Sequence, residues 1–358
     1  MEPIILKRLG IAVACSALTL LGTSRLSGGE TLTATLASGA TNEISALTSD
    51  GLQARRPFAL PDGSVAFVSE GDLFRQSADA TPAEQLTFTR GRLQSAAVLP
   101  DGRILYHYRR SQIGRLFTML PDGTWSTLWP GLDDISVREF AVIDKGRLLV
   151  LDASEDLWLV SIADPYAPKE RISVDLGGSS QGLYRAASLR IEPEPRLSEV
   201  GEFEDRTVLA VDAARPALRA DTLPSIVKPE METGYLFVID VARTDDPELG
   251  PLDREEIAEL RILRLEESGS ETVLILVEPA GDGSVYVEVP ADTPLALEML
   301  DRHGVLLART RTPIWIRPNE RRGCIGCHVS PAYAPPNIRP EALLQEPHRI
   351  GSGTEVTP

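Results

Sequence analysis

Sulfur and imidazole are scarce in this chain, with three cysteines and four histidines among 358 residues. Cys15 falls inside a segment expected to be removed. A closed zinc site, which takes four ligands, would therefore have to recruit His107, His303, His348 or carboxylates. Basic charge is in deficit as well: 36 Lys and Arg stand against 52 Asp and Glu, a net charge of −16. That balance supplies no basic face to neutralise nucleic-acid phosphates, and it disfavours docking to anionic lipid. The acidity suits solubility, or a cationic protein partner. No apolar run reaches the ~20 residues of a comfortable transmembrane helix. A Gly-rich phosphate loop, a zinc-protease helix and a serine-hydrolase elbow are all missing.

At the N-terminus, Lys7 and Arg8 precede the apolar run "LGIAVACSALTLLG" (9–22), and "TSRLSGG" comes after it. A basic start, a short apolar stretch and a small-residue exit predict a signal peptide over 1–24, cleaved after Ser24, with an uncleaved anchor as the alternative. The residues before Cys15 resemble a lipoprotein box, but the apolar run continues to Leu21, which argues against lipidation. The expected location is periplasmic or otherwise extracytoplasmic. The apolar fraction of 42% and charged fraction of 25% are those of a globular protein, and the length allows two domains.

Residues 25–50 are rich in Thr, Ser, Ala and Gly and read as a linker or first edge strand. From residue 51 a plan repeats: "RPFALPDGSVAFVSEGDLFRQ" (56–76), "SAAVLPDGRILYHYRRSQIGRLFTM" (95–119) and "EFAVIDKGRLLVLDASEDLWLV" (139–160). Each runs strand, tight turn, strand, polar turn, strand. The turn aspartates Asp62, Asp101 and Asp144 lie 39 and 43 residues apart, a period that predicts β-propeller blades. In Pro-Asp-Gly, proline presets the turn dihedral and glycine accepts positive φ. The repeats resemble those of TolB-type propellers. A weaker fourth unit is read over 183–217, so residues 51–218 form a partial or small propeller.

The Pro-rich stretch 219–234 marks a boundary. Beyond it, strands are predicted over 234–241, 257–267, 271–279, 283–290, 294–301 and 305–316, with "AGDG" and "DRHG" as turns. A helix is open as the start of "PLDREEIAELRIL", capped by Asp253. The second, mainly β domain is assigned to 219–347 and a flexible tail to 348–358.

Within that domain stands Cys324-Ile325-Gly326-Cys327-His328. Cys-x-x-Cys-His is the attachment signature of c-type haem: two thiols add to the porphyrin vinyl groups and the adjacent histidine reaches the iron. A redox disulfide would expect a thioredoxin-like βαβ context, whereas Arg-Arg-Gly precedes the motif and Pro-rich sequence succeeds it. Zinc meets the shortage of further ligands. Met299 reads as core filler and His303 as an exposed turn residue. His107 reads as a surface or packing residue, and the sixth iron position stays open. The run 202–205 reads as a solvated loop, with weak calcium binding as the other possibility.

Over roughly 220–347, "GDGSVYVEVPADTPL", "NERRGCIGCH" and "APPN" resemble the haem-binding middle domain of the hydrazine synthase alpha subunit family. The resemblance implies one covalent haem c on Cys324 and Cys327, His328 at the iron, and Arg321 or Arg322 beside a propionate. It also implies Tyr333 as an alternative ligand. Family members commonly carry Glu after the histidine, where this chain has Val329, and there is no second Cys-x-x-Cys-His. The expectation is an exported, mainly β monohaem protein in electron transfer with an unidentified redox partner protein, more in keeping with a carrier than with a stand-alone enzyme. A haem-dependent oxidoreductase subunit with an open iron, and a propeller-based assembly module, are the other readings.

Overall fold

A computed structural model describes residues 32–35, 41–44, 52, 55–77, 82–132, 134–172, 223–244, 250, 252–326 and 339–350. The predicted signal segment, the weak fourth unit and the acidic run 202–205 lie outside them.

Strands β1 (Leu32–Thr35) and β2 (Thr41–Ile44) pair as an antiparallel hairpin. Three four-stranded antiparallel sheets come next. The first is β3 (Arg55–Ala59), β4 (Val65–Ser69), β5 (Asp72–Gln76) and β6 (Glu84–Gln85). The second is β7 (Leu93–Val98), β8 (Ile104–Arg110), β9 (Ile113–Met119) and β10 (Thr127–Leu128). The third is β11 (Val137–Val142), β12 (Arg147–Asp152), β13 (Leu157–Ser161) and β14 (Glu170–Ile172). In each sheet the strands neighbour one another in chain order, as in propeller blades. Each also shifts register at one place in its first pair: between Arg55 and Phe58, Leu93 and Ser95, and Val137 and Glu139.

The turns use one device. Asp62, Asp101 and Asp144 each accept the backbone N–H two residues on, at 2.9, 3.0 and 2.8 Å. Gly63 and Gly102 take φ of 86° and 88° there, which a residue with a Cβ adopts only under strain. The short fourth strands are absent from the three-strand repeat plan, because two or three residues carry no readable alternation.

Strand β8 is buried on both faces. Ile104, Tyr106 and Tyr108 join Phe58, Ala66 and Leu73 of the first blade in one core, while Leu105 joins Val137, Leu148 and Val150 of the third in another. This is the period-two alternation of a strand serving two neighbours.

The second domain stacks two four-stranded sheets. One runs in the order β21 (Arg321–Cys324), β15 (Thr233–Val238), β18 (Val285–Pro290), β22 (His348–Arg349). The other runs β17 (Glu271–Val277), β16 (Glu259–Leu265), β19 (Leu295–Leu300), β20 (Leu306–Arg309). Leu236, Val285, Val287 and Val289 from the first sheet share a core with Leu260, Ile262, Leu297 and Met299 from the second, so Met299 is core filler. Where a helix was open, only a 3-10 turn forms over Arg254–Glu256. Asp253 does cap it, accepting from Glu255 N at 3.0 Å, but Ile257, Leu260 and Ile262 belong to the sandwich core and draw the chain into a strand. A short strand forms where the expected tail begins. His348 and Arg349 pair parallel with Val287 and Glu288, and Arg349 ion-pairs with Glu288 at 3.1 Å.

The domain docks on the blades through two neighbouring residues. Trp315 enters the core between the first two blades, tilted against Phe88 and Tyr106. Arg317, 1% exposed, pairs with Asp292 at 2.7 Å and with Glu84, donates to the Gln85 and Asp122 carbonyls at 2.8 and 3.2 Å, and lies over the Phe88 ring.

Candidate functional site

The site is built on β21, which joins the sheet as a parallel edge strand with Tyr235, Leu236, Phe237 and Val238 opposite Arg321, Arg322, Gly323 and Cys324. Sequence patterning predicts its last strand over 305–316 and none beyond. Parallel pairing is invisible locally, since the partner strand lies far upstream. Tyr235 N donates to the Glu320 carbonyl at 2.8 Å and Ile239 N to the Cys324 carbonyl at 2.9 Å.

Glu320 anchors the entry to this strand. It is 0% exposed. One carboxylate oxygen accepts from Arg317 N at 2.7 Å; the other accepts from Trp125 N at 2.9 Å and from the Arg322 guanidinium at 2.8 and 3.0 Å. Burying a polar group is costly unless it is hydrogen-bonded, and these four bonds meet that cost. Asn319 precedes it at φ 66° and donates from Nδ2 to the Ile226 carbonyl at 2.9 Å. The one signal in sequence is the Pro-Asn-Glu turn after the apolar Trp315 and Ile316. It reads as an ordinary polar loop without knowledge of the packing above it.

Arg321 and Arg322 therefore differ in role despite adjacency. Arg322 is 8% exposed and committed to Glu320. Arg321 is exposed, its guanidinium over the Tyr235 ring at 5.4 Å, and it has no carboxylate partner among the described residues. Alternation along β21 puts Arg321 and Gly323 on one face and Arg322 and Cys324 on the other. The Phe237 ring lies across Gly323, where a Cβ would meet it at 2.3 Å.

Cys324 ends the strand half-buried, makes no disulfide, and packs against the sandwich core. Burial pushes its thiol up from the ordinary value, with Arg322 pulling the other way, so at neutral pH it is a protonated thiol. The chain then bends through Ile325 and Gly326. A Cβ on Gly326 would stand 2.3 Å from the Arg243 carbonyl oxygen and 2.9 Å from that of Asp240, so the loop after β15 grips the exit. Cys327, His328 and Tyr333 lie outside the described residues. His303 is exposed in its turn, and His348 sits on the edge of the sheet opposite Cys324. His107 is buried in the blades at 1% exposure. Among the described residues no three His, Cys, Asp or Glu side chains gather as a metal site. No helix among them is long and apolar enough to cross a membrane.

Fold and site together define a mainly β protein in which propeller-like blades carry a two-sheet domain, whose last strand before the undescribed stretch leads into Cys-x-x-Cys-His. Residues 263–329, from β16 through the pentapeptide, match the family described as the hydrazine synthase alpha subunit middle domain. The structure of Kuenenia stuttgartiensis hydrazine synthase is similar in fold, with a TM-score of 0.56 at 14% identity, covering 92% of this chain. This chain spans 59% of the length of that one. Two weaker likenesses are to YCF48 bound to D1 peptide, with a TM-score of 0.29 at 16% identity over 41% of this chain and 51% of that one, and to the extracellular domain of a hybrid two-component system from B. thetaiotaomicron, at 0.29 and 11% over 82% and 42%. No curated protein matches the chain.

Proposed function

We propose that this chain carries one haem c, bound covalently through Cys324 and Cys327 with His328 at the iron, and passes single electrons outside the cytoplasm. The observation that carries the reading is the attachment pentapeptide itself, which begins on a strand built into the sheet. Its first thiol is unpaired, half-exposed and protonated. The haem would supply a one-electron iron couple tuned by ligation and burial.

The residues around it have separable tasks. Glu320 and Arg322 fix the entry to β21 from inside, and Gly326 fixes the exit against the 240–243 loop. Arg321, on the exposed face, is the arginine available to a propionate, because Arg322 spends its donors on Glu320. The net charge of −16 suits a cationic redox partner. The family match favours a second reading, a redox enzyme subunit that takes a small nitrogen or oxygen species at an open iron.

Chain matured in a host competent for cytochrome c assembly is expected to gain the mass of one haem that survives denaturation, and to lose it when Cys324 and Cys327 are both replaced by Ala. A bare polypeptide mass overturns the proposal. A low-spin spectrum indifferent to carbon monoxide supports electron transfer, whereas a high-spin spectrum that shifts with carbon monoxide supports the open-iron reading. Loss of the native ligand signature in His328→Ala but not in Tyr333→Phe assigns the iron ligand; the converse moves it to Tyr333.

A further inference from the structure

In a chain this acidic, one cleft inverts the charge. Where the first two blades meet the second domain, a cavity of about 60 Å³ is lined by Arg90, Arg92, Arg110, Arg309 and Arg311, against a single carboxylate, Glu271. Arg309 binds Glu271 through two hydrogen bonds, at 3.0 and 2.5 Å, and also reaches Glu298 at 2.8 Å. That pairing, with Arg90 and Arg110 adding their charge, holds the Glu271 carboxyl below its ordinary range. Glu271 and Glu298 thus offset Arg309, and the positive charge of the cleft lies on Arg90, Arg92 and Arg110.

Two of its arginines on the blade side are held in place by neutral partners. Arg90 donates to the Glu266 carbonyl at 2.7 Å and Arg110 to the Arg311 carbonyl at 3.2 Å. A backbone carbonyl orients a guanidinium without cancelling its charge. Arg90 Nε is buried with no hydrogen-bond partner, an N–H whose desolvation is uncompensated. Arg92 has no acidic partner among the described residues.

The loop that presents Arg90 and Arg92 is rigid. Asp72, 8% exposed, accepts from Thr87 Oγ1 at 2.8 Å, from Thr89 N and Oγ1 at 2.7 and 2.8 Å, and from Gly91 N at 3.2 Å. Arg90 takes φ 60°, and Gly91 presses so closely on Gly71 that a Cβ on Gly71 would stand 2.2 Å from the Gly91 carbonyl oxygen. Strain held by a buried carboxylate, at a loop whose product is two aimed arginines, is the pattern of a built site.

We propose that this cleft binds one small multivalent oxyanion of the phosphate or sulfate type, bridging the blades and the second domain. Planar guanidinium forks match such an oxygen array, the volume suits a single small anion, and an anion would offset the charge of Arg90, Arg92 and Arg110. Because Arg90, Arg92 and Arg110 come from the blades and Arg309 and Arg311 from the second domain, the ligand stabilises their junction. The site is independent of the haem reading.

Isothermal titration of the full chain with inorganic phosphate, and separately with sulfate, at ionic strength held constant with sodium chloride, tests this. One saturable site is expected, together with a rise in Tm. Affinity falls about tenfold or more in Arg92→Glu and in the milder Arg92→Gln, and is unchanged in Arg138→Glu, whose partner is Glu155 on the third blade. Far-ultraviolet circular dichroism verifies that each variant is folded. Phosphate and sulfate acting no differently from chloride, or folded Arg92 variants titrating like the parent, overturns the proposal. Saturable binding of acetate with equal affinity overturns the preference for a multivalent anion.

Discussion

At the scale of single residues, two buried groups set the stability of the chain in opposite chemical ways. Glu320 is a buried carboxyl on whose two oxygens four donated hydrogen bonds converge from three residues. Glu320→Gln keeps the shape but leaves the Arg322 guanidinium buried without its counter-charge. It is expected to lower unfolding free energy by about 3 kcal/mol, read from the urea midpoint at unchanged m-value. The double variant Glu320→Gln with Arg322→Met is expected to recover part of that loss, because it removes the stranded charge; no recovery would show that the ion pair is not what the site depends on. His107 is the reverse case. Neither ring nitrogen has a hydrogen-bond partner of good geometry, and burial drives the pKa down to about 4, with the nearby Val137 backbone weakly opposing and Arg109 and Arg56 assisting. The unfolded chain therefore takes up this proton first, near the ordinary histidine value of about 6.5. Stability from this group is complete above that pH and declines as pH falls toward about 4, by up to ~3 kcal/mol. The difference in unfolding free energy between the parent and His107→Leu is expected to shrink or reverse across that window, and a constant difference would contradict the burial argument.

At the scale of elements, β21 shows what local sequence can and cannot reveal. Gly323 offers no side chain because the Phe237 ring occupies that place, 2.3 Å from where a Cβ would stand. Gly323→Ala must displace either the ring or the strand, at a cost of about 1–3 kcal/mol. Faster hydrogen exchange is expected at Ile239 N, whose acceptor is the Cys324 carbonyl; unaltered exchange would mean that Phe237 simply turns aside. The blades are legible in advance because each hairpin carries its own signal, an aspartate that caps the turn and alternating apolar residues on either side. The six antiparallel strands after residue 232 are legible for the same reason, down to Val285, Val287 and Val289 facing inward. The features that stay hidden depend on distant partners: the pairing of β21 with β15, the two-residue β22, the edge strands β6 and β10, and the saturation of Glu320. In the candidate site the Cys-x-x-Cys-His spacing is visible at once, while the unequal roles of Arg321 and Arg322 are not. Those roles depend on which face of a strand each residue occupies, and nothing in the local pattern announces a strand there.

At the scale of the whole molecule, the question is whether blades and second domain unfold together. Interfaces between domains of one chain are often polar and permit relative motion, but this one has a side chain from the second domain as a member of the blade core. Trp315 packs with Phe58, Leu86, Leu93 and Tyr106, and two residues later Arg317 binds Asp292 in its own domain and Glu84 in the first blade. The segment 315–317 is thus both a core element and an electrostatic latch, and it lies just ahead of Glu320, whose Trp125 contact ties the same turn to the second blade. Arg317→Met keeps the length and much of the packing over Phe88 but leaves Glu84 and Asp292 without their cation. Burial already raises Asp292 to about 6 despite Arg317, so in the variant this carboxyl is expected to protonate at still higher pH, limiting the loss below neutrality. Differential scanning calorimetry is expected to show one cooperative transition for the parent and two resolved transitions for Arg317→Met above pH 7, merging again as the pH approaches 5. A single transition in the variant at every pH would place the coupling in Trp315 alone, and Trp315→Ala would then be the change that separates the two halves.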